Sequence, residues 1–275
     1  LWEGPANTVF VQKMDHECQM NDENIARIAG SFGRIRQKLF SAPWRFLVIG
    51  EDEVVSSSLA QLSKLTCKLG ANGDFYPLLV TKPDTQADGA WVTNTQVNFC
   101  AKAYTAVPDG HDDAAALAVL AKYLQDGFLH PSIREKGGAY GAGAQFDGAS
   151  ATFRLFSYRD PRLGETLEDF DRSLDWLATS NDAQRLEESI LGVIRGLDSP
   201  RPPAGAAIHD FYSGLDGRLY EFKVAHREAV LQTTFDQILG AAQRYLIPAT
   251  AKRAVITHAG HQKELEQLEL EELKL

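Results

Sequence analysis

Between positions 21 and 40 the apolar residues Ile25, Ile28, Phe32, Ile35 and Leu39 recur every three or four places, the spacing of an amphipathic helix. Asn21 or Asp22 supplies a start and Pro43 stops the pattern. Residues 44–49 then read as a short buried strand ending at Gly50, and a second helix is predicted through Val54, Leu59, Leu62, Leu65 and Leu69. Over 71–90 the pattern lapses. Asn72, Gly73, Pro77, Pro83, Asp84, Asp88 and Gly89 punctuate a segment with few apolar residues, which predicts a linker.

Beyond the linker, residues 91–105 alternate as a strand does. Val97, Phe99, Ala101 and Ala103 share one side, and Gln96, Asn98, Cys100 and Lys102 the other. A turn at Pro108, Asp109 and Gly110 leads to an alanine-rich helix over about 112–127, whose acidic start suits the helix dipole. Two antiparallel strands, 139–147 and 150–158, are predicted around the Asp147-Gly148 turn pair. Asp160 and Pro161 read as N-cap and first residue of a helix whose apolar face is Leu163, Leu167, Phe170, Leu174 and Leu177. Further helices are expected at about 182–197, 204–216 and 219–246, then a last strand at 253–257 and a helical Leu/Glu-rich tail. Residues 45–49 with their following helix echo 253–257 with theirs, so each could close a repeated unit. The chain thus divides into the end of one unit (1–70), a linker (71–90) and a complete second unit (91–275).

Composition changes this picture little. Of 275 residues, 44% are hydrophobic and 24% charged, which fits an ordinary globular protein. The net charge of −9 argues against a nucleic-acid partner, and the absence of a run of about 18 apolar residues argues against a membrane span. Cys18, Cys67 and Cys100 form no metal or redox motif and suit a reducing compartment, cytoplasm or organelle matrix. The opening Leu1-Trp2-Glu3 has neither an initiator Met nor a signal-peptide profile, so a piece of a longer protein or a processed product is expected.

The chemistry concentrates in His130-Pro-Ser-Ile-Arg134-Glu-Lys-Gly137-Gly138-Ala-Tyr140-Gly141-Ala-Gly143. Clustered glycines let a peptide backbone approach closely. Arg134 and Tyr140 are donors suited to peptide carbonyls or to a developing oxyanion. The bland alternative is a glycine-rich hairpin with a surface ion pair and a packed tyrosine. No phosphate-cradling loop, nucleophile elbow, His-Glu-x-x-His or His-x-x-Glu-His is present. His258 and His261, with Glu264 nearby, would need a further ligand and a fixed geometry to hold zinc, so a strand-to-helix turn is expected there.

The run 134–141, with Phe153-Arg-Leu-Phe-Ser-Tyr-Arg-Asp-Pro161 and Thr166-Leu167, resembles the pitrilysin/insulysin family of zinc metallopeptidases, and more narrowly its presequence-protease branch. Thr95-Gln-Val-Asn98, Lys102-Ala103, Ile190-Leu-Gly-Val-Ile194 and Asp198-Ser199 fit the same branch. The resemblance implies an α+β unit of the LuxS/mitochondrial-processing-peptidase-like metallohydrolase fold, an antiparallel sheet covered by helices on one face. It implies four such units in the full protein, this chain being the end of the third and the whole fourth. The zinc would then belong to an N-terminal catalytic half, with no metal site or cofactor in this chain. Arg134 and Tyr140 would hold a peptide substrate and stabilise its tetrahedral intermediate, and Gly137, Gly138 and Gly141, by their size, would let the substrate lie close. By this reading the chain alone is inactive. Its rivals are an inactive scaffold or assembly subunit of the family and a free-standing peptide-binding domain.

Overall fold

The computed structural model describes residues 22–66 and 88–273, which fall into two compact units, 22–66 with 200–218 and 88–199 with 219–273. Cys18, Cys67, Leu69 and linker positions 71–87 lie outside the described residues.

The first unit is helical. Helices α1 (Asp22–Ser41) and α2 (Asp52–Thr66) form where the periodicity predicts, each with two acids in its first turn and a lysine in its last, matched to the helix dipole. The predicted strand at 44–49 is absent. Those residues are irregular, with Trp44, Phe46, Leu47 and Ile49 exposed. A strand exists only with a hydrogen-bonded neighbour, and none of the described residues pairs with this run. Helix α6 (Pro203–Leu215), predicted inside the second unit, groups with this one.

The second unit carries a six-stranded sheet in the order β3-β4-β2-β5-β1-β6. Its strands are β1 (Gly89–Val92), β2 (Asn98–Thr105), β3 (Gly141–Asp147), β4 (Thr152–Asp160), β5 (Lys252–Thr257) and β6 (Glu271–Leu273). Pairing is antiparallel from β3 to β5 and parallel where β1 meets β5 and β6. The antiparallel sheet expected from sequence is therefore mixed at one edge. Asp88 fixes that edge: its carboxylate accepts from the Arg253 backbone N–H (2.8 Å) and from its guanidinium (Nε, 2.7 Å).

Helices α3 (Ala114–Leu124), α4 (Gly164–Thr179), α5 (Ala183–Leu197), α7 (Tyr220–Leu231), α8 (Phe235–Tyr245) and the short α9 (Gln262–Gln267) complete the unit. Nine of the eleven residues of α3 are buried, so it is apolar nearly all round; it runs through the core between β3 and helices α5, α7 and α8. The single helix expected at 219–246 is two. Thr234 caps α8 in a reciprocal box with Gln237, a Thr-x-x-Gln signal that marks the break. Strand β6 was not foreseen in a tail read as helix.

Helix α4 begins at Gly164, not at Pro161 as expected. Asp160 is the buried last residue of β4, and its carboxylate accepts from Arg162 N (2.9 Å) and Thr166 Oγ1 (2.8 Å). The acid holds a strand-to-helix corner instead of capping the helix from its N-cap position.

The alternation along β2 has the parity predicted, with the packing reversed from what polarity suggests. Asn98, Cys100, Lys102 and Tyr104 are buried, while Phe99, Ala101 and Ala103 are only partly covered. Two of these buried polar groups are satisfied: Asn98 donates to Arg162 O and accepts from Thr257 Oγ1, and Lys102 Nζ lies 2.6 Å from the Asp171 carboxylate, whereas the Tyr104 hydroxyl has no hydrogen-bond partner among the described residues. On the other face of the sheet Phe99, Ala101, Phe156 and Ile256 lie in neighbouring register as a partly open apolar patch, and Arg154, Gln145 and Lys252 are exposed farther along it.

Candidate functional site

The site begins where α3 changes pitch. Without interruption the helix continues as a π-helical segment, Gln125–Lys136, which carries Arg134 on its last turn. Pro131 sits inside it and has no N–H to donate. In an α-helix its ring would strike the carbonyl four residues earlier; a wider turn relieves that clash. The helix expected to end at about 127 therefore runs on to Lys136, with Leu124, Leu129 and Ile133 as buried anchors spaced five and four apart.

Three backbone bonds end the segment: Gly137 N to Ser132 O (3.0 Å), Gly138 N to Arg134 O (3.0 Å) and Ala139 N to Ile133 O (3.1 Å). Gly138, at φ +81°, reverses the chain, a conformation that costs glycine little. Tyr140 N then donates to Arg159 O (3.2 Å), tying the turn to the end of β4. Arg134 and Tyr140 therefore stand at the two ends of one short hydrogen-bonded turn, and both are exposed, Tyr140 at 68%.

Tyr140 heads an aromatic row. Its ring meets Tyr158 edge-on at 5.6 Å, and Tyr158 meets Phe99 at 5.5 Å. The Arg159 guanidinium lies over both tyrosines, 5.9 and 5.5 Å from their centroids, so its charge is held by cation–π attraction. A register shift between Asn98 and Cys100, with Arg159 at φ +50°, makes the local bulge, and Tyr158 and Arg159 are consecutive exposed residues there. Neither Tyr158 nor Arg159 is among the site residues expected from sequence.

Beneath the turn the buried Asp169 carboxylate centres a frame of ion pairs. The Arg162 guanidinium donates to Asp169 (3.1 Å), which also accepts from Arg172 (3.0 Å). A Cβ on Gly137 would fall 2.1 Å from Arg162 Nη2 and 2.5 Å from Ile133 O, so only glycine fits there. A Cβ on Gly141 meets nothing within 4 Å. Of the three glycines expected to make room for substrate, Gly137 makes room for Arg162, Gly138 supplies a left-handed turn, and Gly141 faces open space. Farther in, burial pushes the Cys100 thiol up to about 12, which keeps it neutral and unreactive.

Zinc finds no donor set here. Among the described residues no three His, Cys, Asp or Glu side chains are grouped to hold a metal. His258 Nδ1 accepts from Gly260 N (3.0 Å), His261 Nδ1 lies 2.6 Å from Glu264 Oε2, and Glu264 Oε1 accepts from Gly164 N (2.8 Å). That cluster joins the β5 exit to the start of α4.

The architecture is that of a pitrilysin-type peptidase domain. It is similar to a peptidase M16 inactive domain from Pseudomonas fluorescens (TM-score 0.58, 16% identity, 74% of this chain and 51% of that one). It is also similar to pitrilysin (TM-score 0.54, 14% identity, 80% of this chain and 25% of that one). Residues 88–252 match the family described as PreP C-terminal domain, and the chain belongs to that family. Among curated relatives, the mitochondrial presequence protease of Xenopus tropicalis is 33% identical over 210 residues, 75% of this chain and 19% of that protein. The Drosophila melanogaster presequence protease is 40% identical over 158 residues, 56% of this chain and 15% of that protein. The chain thus spans under a fifth of the length of these relatives.

Proposed function

We infer that this chain is the substrate-gripping, chamber-forming C-terminal part of a peptide-degrading zinc endopeptidase, whose metal belongs to an N-terminal half outside this sequence. The carrying observation is the exposed Arg134–Tyr140 pair at the two ends of one braced turn, beside a partly open apolar patch of the sheet. Zinc in the other half would supply an activated water as nucleophile. The part of this chain is to bind and orient. Arg134 offers a permanently charged donor to a peptide carbonyl, and the Tyr140 hydroxyl, for which no described residue is a hydrogen-bond partner, offers a directional one. Either donor placed at the oxygen where charge develops is worth about 2.7–4 kcal/mol. The relatives' names, which describe mitochondrial presequence proteases, support a mitochondrial setting and presequence-like substrates.

The test is turnover of a fluorogenic peptide by the full-length protein with Arg134→Ala or Tyr140→Phe. Each is expected to lower kcat/KM at least tenfold with zinc content unchanged; wild-type turnover in both variants overturns the reading. A scaffold role is the second reading, favoured by neighbours described as inactive peptidase domains. An intact zinc motif upstream selects the peptidase, and a degenerate one the scaffold.

A further inference from the structure

Arg134 does not hang free of its helix. Its Nη1 lies 2.8 Å from His130 Nε2, and the other ring nitrogen, Nδ1, lies 3.4 Å from the Glu135 carboxylate. A guanidinium has donors and no acceptor, so Nε2 must be the unprotonated nitrogen. The ring proton then sits on Nδ1, on the side of Glu135, whose negative charge favours that tautomer. We propose that His130, oriented by Glu135, is a positioning residue that aims Arg134 at the substrate.

The pitch of the helix is what permits this three-residue chain. In an α-helix the residue at i+5 points about 140° away from residue i. With roughly 4.4 residues per turn, i+4 and i+5 fall on either side of residue i, about 30° and 50° away. One imidazole at 130 can therefore touch both 134 and 135, which an α-helix would keep apart. Wide turns are uncommon and recur at functional sites for reasons of this kind. An arginine side chain has many rotamers, and fixing it before substrate arrives lowers the entropy lost on binding. Only one guanidinium nitrogen is engaged by His130, so the rest of the fork stays available to a peptide.

The proposal rests on the role given to Arg134 above, and two readouts on the full-length protein separate the two claims. The first is the rate at which phenylglyoxal modifies Arg134, followed by peptide mapping. His130→Ala is expected to speed it at least threefold. His130→Gln, which returns an acceptor near the Nε2 position, is expected to restore most of the protection, with Glu135→Gln between. An unchanged rate in His130→Ala overturns the positioning role whatever the activity does. The second is kcat/KM: His130→Ala should lose about tenfold, His130→Gln should recover most of it, and His130→Ala should add nothing in an Arg134→Ala background. Additive losses overturn the proposal. Full turnover in Arg134→Ala alone, with the modification result as expected, overturns the catalytic reading and leaves the contact standing. The His130 side chain is partly exposed, so its removal leaves the core intact.

Discussion

The two halves of one continuous helical run differ more than their sequences suggest. Over 114–124 the run is α-helical and nearly all buried; over 125–136 it is π-helical, and only Leu129 and Ile133 are buried. The first half anchors and the second displays. Burial on every side fixes α3 in position and direction, and the wider second half uses two anchors to hold one face inward while His130, Arg134 and Glu135 stay outward. A site reaching toward a distant reacting group needs both, because a donor displaced by about 1 Å can lose about a hundredfold in rate.

The largest effect should come from the anchoring half. Leu124→Ala, at a fully buried position, is expected to cost about 2–5 kcal/mol in urea unfolding. Arg134→Ala in the displayed half should change stability by less than about 0.5 kcal/mol. A comparable cost for both would erase the division. Gly137→Ala tests whether the frame of ion pairs reaches the display: forcing Arg162 and the Ile133 carbonyl apart should cost about 1–3 kcal/mol, read by thermal melting.

Cys100 probes the same frame from below. Its thiol, near 9 when unfolded, is held up to about 12 in the fold by burial, so between those values the unfolded state releases its proton first. Stability should therefore fall as pH rises from about 9 to 12, by a few kcal/mol at most. Cys100→Ala should flatten that decline, and the native thiol should resist iodoacetamide at pH 8. Smallest of all, Gly141→Val should leave stability within about 0.5 kcal/mol, since its Cβ meets nothing. If substrate lies against that wall, KM rises; an unchanged KM removes Gly141 from the binding surface.

Much of this was readable from residues. The helical periods, the hairpin at Asp147-Gly148 and the strand expected at 253–257 all follow from local pattern, and the candidate pair Arg134 and Tyr140 was singled out from residue type alone. What escaped was non-local or competed with a stronger local signal. The helix expected to end at about 127 runs on through Pro131 as a wide helix held by the buried Leu129 and Ile133. Asp160-Pro161 carries the local signature of a helix start, yet Thr166 and the Arg162 N–H draw the acid into a buried corner. The strand expected at 44–49 had the right composition and, among the described residues, no neighbour to pair with. The row Tyr140, Tyr158 and Phe99 depends on a bulge, which alternation alone does not reveal.

The contrast between anchor and display is useful to a peptidase only if the displayed donors favour the reacting geometry over the resting peptide. The direct measurement is the affinity of the full-length protein for a phosphinic peptide, whose tetrahedral centre mimics the addition product, against that for the matching uncleaved substrate peptide. Arg134→Ala with Tyr140→Phe should weaken the phosphinic peptide at least tenfold more than the substrate. Equal weakening of both, or none, would contradict the account.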